Sequence, residues 1–204
     1  MLFSDSYFSI EKEAQALFRE KGSKFIALAY PVKNEAEIKE RLAALKKEHP
    51  SANHHCYAYR LGADKQNFRS NDDGEPAGTA GKPILGQIQS KDLTDILIVV
   101  VRYFGGTLLG VSGLINAYKN AASEAIAASV IVEKHIRFVY KVNFSFERMN
   151  DIMRILKENQ AKVIKQDAME SCEIEFAVRK QNSEKLEEHL RLLFDVKYGF
   201  VRQE

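Results

Sequence analysis

Between Asp95 and Tyr103 the chain carries the unbroken apolar run Ile-Leu-Ile-Val-Val-Val, rich in β-branched residues and without alternation. Such a run predicts a central strand buried on both faces. The period then changes. Leu114, Tyr118, Ala121 and Ala125 fall on one side of a helix, with Ile115, Ala122 and Ile126 beside them. Lys119, Asn120, Ser123 and Glu124 fall on the other side. This predicts a helix over residues 110–129, whose alanines permit close packing on a sheet. Upstream, residues near Lys12–Arg19 and Lys24–Val32 flank Lys21-Gly22-Ser23, a hairpin in which glycine supplies a positive φ. Asn34 followed by Glu37 is a capping-box-like start, and Ile38, Leu42 and Leu45 continue at helical spacing until Pro50. Strands near Cys56–Leu61 and Asn67–Ser70 join through Gly62-Ala63-Asp64. Residues 71–81 show no period and predict an ordered loop. Lys82–Ser90 predicts a short helix with Pro83 in its first turn.

The pattern changes again after about Glu133. Ile136, Phe138, Tyr140, Val142 and Phe144 alternate with polar residues, interrupted only at Val139, as in a half-buried strand. Met149, Ile152, Met153 and Leu156 return to helical spacing. Lys162–Asp167 and Cys172–Arg179 follow as strands, Leu186, Leu190, Leu193 and Phe194 as a helix, and Val196–Phe200 as a final strand. The order β-α-β-β-α-β is that of a ferredoxin-like domain. The fold class expected is therefore α+β in two domains, residues 1–132 and 133–204, with the boundary within Val130–Ile136.

Composition narrows the function classes. Hydrophobic residues make up 45% and charged residues 28% of the 204, which excludes a mainly disordered or collagen-like chain. The formal net charge of +2 is shared evenly between the two parts, so bulk charge does not predict a strongly basic nucleic-acid binder. The N-terminal MLFSDSYFSI lacks the basic start and apolar core of a signal peptide. The apolar run at 96–101 is too short to span a bilayer, so no membrane partner is expected. Cys56 and Cys172 form no paired motif, which predicts reduced thiols and a cytoplasmic protein.

Eight of the 11 glycines lie between Gly74 and Gly113, and candidate chemistry gathers there. Arg102-Tyr-Phe-Gly-Gly-Thr-Leu-Leu-Gly-Val-Ser-Gly113 joins the buried strand to the alanine-rich helix. Glycines let an anion approach free N–H groups at a helix N-terminus, and Thr107 and Ser112 add hydroxyls. The spacing matches neither G-x-G-x-x-G nor the P-loop pattern, so a tight turn with close packing is the competing explanation. Asn71-Asp-Asp-Gly-Glu-Pro-Ala-Gly-Thr79 groups three carboxylates without the alternating ligands of a calcium loop. No metal and no other cofactor is predicted. The carboxylates either cap helices and pair with Arg60, Arg69 or Arg102, or orient a substrate proton. His54 and Cys56 share one face of their strand, as a packed thiol with a hydrogen-bonded histidine or as a nucleophile with its base. Tyr57, Tyr59 and Arg60 suit either base stacking or sheet packing. The anion or nucleic-acid candidates are Arg60, Arg102, Gly105, Gly106, Thr107, Gly110 and Ser112. The cleft would be shaped by His54, Asp72, Asp73 and Glu75.

Several strings occur in an order that resembles the YigZ/IMPACT family. They are Gly22-Ser23-Lys24-Phe25, His54-His55-Cys56-Tyr57-Ala58-Tyr59-Arg60, Asp72-Asp73-Gly74-Glu75-Pro76-Ala77-Gly78-Thr79-Ala80-Gly81, and Val101-Arg102-Tyr103-Phe104-Gly105-Gly106 through Leu109-Gly110. The resemblance covers essentially the whole chain. It implies an N-terminal α+β sandwich related to domain IV of elongation factor G, a ribosomal-protein-type fold. It also implies a ferredoxin-like C-terminal domain similar to that factor's last domain. Eukaryotic relatives are translational regulators acting in amino-acid starvation and carry a further N-terminal interaction domain. The resemblance supplies no catalytic residues.

The function expected is thus that of a cytoplasmic, translation-linked regulator binding RNA or the ribosome rather than catalysing a reaction. An enzyme acting on a phosphorylated or nucleotide ligand is the first alternative. A protein-interaction module with a protein partner is the second. Geometry separates them: a shared catalytic cleft requires Asp72, Asp73 and Glu75 to face His54, Arg102 and the helix N-terminus.

Overall fold

The computed structural model describes residues 5–168 and 172–204. The chain is α+β and packs as two compact units, Tyr7–Lys134 and His135–Glu204, the second joined by Asp5 and Ser6. The first unit runs β1 (Ser6–Ile10), β2 (Ala14–Glu20), β3 (Ser23–Pro31), α1 (Glu35–Glu48), β4 (His54–Leu61), β5 (Asn67–Asn71), α2 (Gly81–Ser90), β6 (Ile96–Tyr103), α3 (Gly110–Ala127) and β7 (Ile131–His135). Five of its strands form one sheet in the order β2-β3-β6-β4-β5. All neighbours in it are antiparallel.

The lack of alternation in β6 has its cause in helices on both faces. Ile96, Ile98 and Val100 point with Phe25, Ala27, Cys56 and Ala58 into a core closed by α2 and α3. Leu97, Val99 and Val101 point the other way, with Tyr30 and Tyr59, against Ile38 and Leu45 of α1. Small residues on α3 (Ala117, Ala121, Ala122, Ala125) are fully buried, which lets the helix lie close to the sheet. The start of α1 is capped as its sequence predicts. Asn34 accepts from the Glu37 N–H at 3.0 Å, and Glu37 Oε2 accepts from the Lys33 N–H at 2.9 Å.

Two strands lie outside the expectations drawn from the pattern. β1 and β7 pair as a separate two-stranded sheet, so the stretch expected to hold only a boundary carries a strand. Both are five residues long, and β7 contains Glu133 and Lys134, so neither shows a readable alternation.

The second unit runs β8 (Arg137–Phe144), a single 3-10 turn, α4 (Met149–Glu158), β9 (Lys162–Ala168), β10 (Cys172–Arg179), α5 (Lys180–Arg191) and β11 (Lys197–Gln203). Its strands form an antiparallel sheet in the order β11-β8-β10-β9. Tyr140, Val142, Ile174 and Phe176 pack against Ile152 and Leu156 of α4 and Leu186 and Leu190 of α5. The last helix begins earlier than its apolar residues suggest, because its first turn is polar. Phe194 lies beyond its end and is 99% exposed rather than part of its apolar face. Among the described residues, no helix is long and apolar enough to cross a membrane.

Candidate functional site

The site is built where β4 and β6 begin and end. Their antiparallel register sets His54 opposite Arg102, on the face covered by α2 and α3. The segment after β5 crosses this corner. Asp73 N–H donates to Asn71 Oδ1 at 2.8 Å, and Asp73 and Gly74 take left-handed conformations, φ +43 and +90. Glycine takes the second of these without steric cost. The turn drives Glu75 inward, its N–H donating to the Asp72 carbonyl at 2.9 Å.

Glu75 is the centre of the arrangement. Its Oε1 accepts from Arg102 Nη1 at 2.6 Å and from the Tyr118 hydroxyl of α3 at 2.7 Å. His54 Nε2 lies 3.8 Å from the same oxygen. His54 Nδ1 is 2.9 Å from the Asp73 carbonyl, which can only accept, so Nδ1 carries the proton and a neutral ring keeps its lone pair on Nε2. The Arg102 guanidinium lies over the rings of Phe25 and Phe104, 5.4 and 5.8 Å from their centroids.

The other two carboxylates of the acidic segment face elsewhere. Asp72 accepts from the N–H groups of Gly78, Ala80 and Gly81 at 2.9, 3.0 and 2.8 Å and so caps the start of α2, which has no cap of its own. Burial alone would raise its pKa. The amides of Gly78, Gly81 and Ala80, with the charge of Lys82, outweigh that and hold the carboxyl below its ordinary value. Asp73 Oδ2 accepts from the His55 N–H at 2.7 Å, and its Oδ1 is 3.6 Å from Lys46 Nζ. The His55 ring is buried, which lowers its pKa against the opposing pull of Asp73.

Cys56 is packed rather than poised. Its sulfur lies 3.0 Å from the Asp72 carbonyl and 3.3 Å from the Tyr118 hydroxyl. Burial pushes the thiol up to about 12, the Tyr118 hydrogen bond opposing it only in part. Burial also raises the Tyr118 phenol strongly, followed by the effects of Cys56 and Glu75.

The glycine segment separates into packing and turn positions. A Cβ on Gly105 would lie 1.9 Å from the carbonyl carbon of Gly22, so close approach to the β2–β3 turn requires glycine there. Gly106 and Gly110 have φ of +85 and +70 in open space. Thr107 and Ser112 are exposed.

A half-open cavity of about 450 Å³ lies between these elements. Asn53, His54, Glu75 and Arg102 supply its polar side. Phe104, Leu108, Leu109, Val111 and Leu114 supply its apolar side, and Gly110 lies at its edge. Gly105, Gly106, Thr107 and Ser112 do not line it, so the hydroxyls expected to bind an anion lie outside it. Arg60 is not at the site either. It sits six residues further along β4, about 20 Å away at the usual rise per residue. There it is buried, its Nε donating to the Leu93 carbonyl and its Nη2 to Asp92. The expectation of one anion site holding Arg60 and Arg102 is therefore corrected: the two arginines occupy opposite ends of the sheet. Arg102, in turn, already neutralises Glu75.

Asn53, Tyr118 and the aliphatic walls were not among the site candidates. Tyr118 carried a signal, because a phenol on the buried face of an alanine-rich helix needs a polar partner. Among the described residues, no three His, Cys, Asp or Glu side chains are grouped so as to hold a metal ion.

Comparison with known proteins places this geometry in context. The family described as the Impact N-terminal domain matches residues 21–126. The chain is similar to IMPACT family member YvyE of Bacillus subtilis (strain 168), at 32% identity over 198 residues, 95% of this chain and 91% of that protein. It is similar to IMPACT family member YigZ of Escherichia coli (strain K12), at 36% identity over 149 residues, 72% of this chain and 73% of that protein. Protein IMPACT of Bos taurus is 41% identical over 93 residues, 43% of this chain and only 29% of that longer protein. A solved crystal structure of a hypothetical protein superposes with a TM-score of 0.74 at 29% identity, covering 98% of this chain and 99% of that one.

Proposed function

The chain belongs to the IMPACT family, and from that premise we propose that it is a cytoplasmic, translation-linked regulator that binds RNA or the ribosome rather than catalysing a reaction. The observation that carries the choice of binding over turnover is the commitment of Glu75. The carboxylate of the cavity is already engaged by Arg102 and Tyr118. The neighbouring thiol is held protonated by burial. Among the described residues, no nucleophile, base and orienting group converge at the cavity as nucleophilic catalysis would require.

The two-part layout supports the translation link. We assign residues 1–132 to an α+β domain of the elongation factor G domain IV type and residues 133–204 to a ferredoxin-like domain. The strand order β11-β8-β10-β9, with α4 and α5 as the two connecting helices, supports the second assignment. With a net charge of +2, binding rests on a local surface and not on a broad basic face.

The test is cosedimentation of the full chain with ribosomes, together with RNA binding over a salt series. Binding at low salt that weakens as salt rises is expected. Absence of binding to both at low salt overturns the proposal.

A further inference from the structure

We propose that the cavity between β4, β6 and α3 receives one unstacked nucleobase of a single-stranded RNA. The inference rests on the RNA-binding reading above and names what the cavity does within it.

Size comes first. About 450 Å³ falls within the range of small-molecule pockets, roughly 300–1,000 Å³. Charge comes next. The Arg102 guanidinium meets the Glu75 carboxylate at 2.6 Å, so each of these charges is compensated by the other. A phosphate or carboxylate entering the cavity would lose hydration and find Arg102 already paired with Glu75. An uncharged occupant is favoured.

The polar edge then restricts the chemistry further. Asn53 Oδ1 accepts from the Phe104 N–H at 2.8 Å, which leaves the Asn53 amide nitrogen as a donor. His54 Nδ1 is committed to the Asp73 carbonyl, which leaves Nε2 as an acceptor. Asn53 and His54, neighbours in the chain that both line the cavity, thus bring it one donor and one acceptor. A purely aliphatic side chain from a protein partner would cover these two groups and leave them unpaired. A nucleobase presents donors and acceptors along its own edge.

The walls suit its faces. Leu108 and Val111 stand at the mouth, 85% and 61% exposed, and the Phe104 ring is 45% exposed. Apolar side chains this open, beside the polar groups of Asn53 and His54, offer contact surface to the face of a ring. Unpaired bases of RNA are recognised in this way, between apolar or aromatic faces and by hydrogen bonds to one edge.

The experiment uses the full chain. Amide and methyl NMR spectra are recorded with adenosine, guanosine, cytidine and uridine in turn, and with ribose 5-phosphate as control. Binding of an unlabelled single-stranded RNA is measured in parallel for the wild type and for Leu108→Glu. Residue 108 is at the surface, so its thermal melt serves as the check on folding. The expected result is saturable shifts at His54, Phe104 and Leu109 with at least one nucleoside and none with ribose 5-phosphate. About a tenfold weaker RNA affinity is expected for Leu108→Glu at an unchanged melting temperature.

RNA binding by the wild type with no nucleoside shifts and no effect of Leu108→Glu overturns the pocket alone. Shifts of equal size with ribose 5-phosphate overturn it in favour of an anion site. Shifts with an aliphatic peptide and with no nucleoside overturn it in favour of a protein partner. No RNA binding by the wild type overturns the RNA reading, and the pocket assignment with it.

Discussion

Arg102 Nη1 donates to Glu75 Oε1 at 2.6 Å, with the two side chains only 7% and 3% exposed. β6 brings one partner and the turn after β5 the other. Buried pairs of this kind add little over a well-packed apolar pair, but breaking one strands a charge, at about 3–5 kcal/mol. Arg102→Met should therefore lower the free energy of unfolding by about that amount. Adding Glu75→Gln to it should recover part of the loss, because the stranded charge is removed while Tyr118 keeps an acceptor. Urea unfolding of the two single variants and the double variant measures the coupling. Additive losses would show that the pair does not interact.

Gly105 and Gly106 are neighbours with different requirements. At position 105 an added methyl meets the backbone of Gly22 and Ser23 at 1.9–2.2 Å. Backbone cannot rotate away, so Gly105→Ala should cost about 3 kcal/mol, the upper part of the range for overpacking. At position 106 the space is open and only the φ of +85 is strained. Gly106→Ala should cost about 1 kcal/mol. Denaturation midpoints of the two variants make the comparison, and equal losses would remove the packing explanation for Gly105.

These neighbours also show what the pattern of residues can and cannot carry. The α+β class was legible because β6 announces two covered faces and α1 announces its own cap. The clustering of glycines around 74–113 was legible too. The pairing of His54 with Arg102 across 48 residues was not, since no local period encodes register between strands. Arg60 and Arg102 lie on the same face of one sheet, and only the path of residues 71–81 decides which end becomes a cavity. Asp72, Asp73 and Glu75 read as one acidic cluster. The turn gives each a separate partner: the start of α2, the His55 amide, and the buried arginine.

Asp72 carries a pH prediction. Its carboxyl titrates below its ordinary 3.8 because three backbone amides and Lys82 outweigh burial. A depressed folded-state pKa contributes stability that is fully present above the unfolded value and is lost as pH falls through the folded value. Asp72→Ala should cost about 1–2 kcal/mol near neutral pH, as loss of a helix cap does. The gap between wild type and variant should narrow only below the ordinary 3.8. Urea unfolding at about pH 7 and about pH 2.5 tests this. A gap that stays constant with pH would mean that the carboxylate charge contributes nothing to the cap.

Cys56 separates a packing thiol from a catalytic one. With burial pushing its pKa up to about 12, the thiolate fraction near pH 8 is on the order of one in ten thousand. An ordinary free cysteine would be about a quarter ionised there. Alkylation of the native protein by iodoacetamide should therefore be at least about a hundredfold slower at Cys56 than in the urea-unfolded chain, since access is restricted as well. Peptide mass spectrometry resolves Cys56 from Cys172, which is buried in the other unit. Raising the pH should speed native labelling of Cys56 up to the alkaline limit of folding, because each unit multiplies the thiolate about tenfold. Rapid labelling at neutral pH would instead mean a thiolate stabilised beside His54, and would reopen the cavity as a catalytic site.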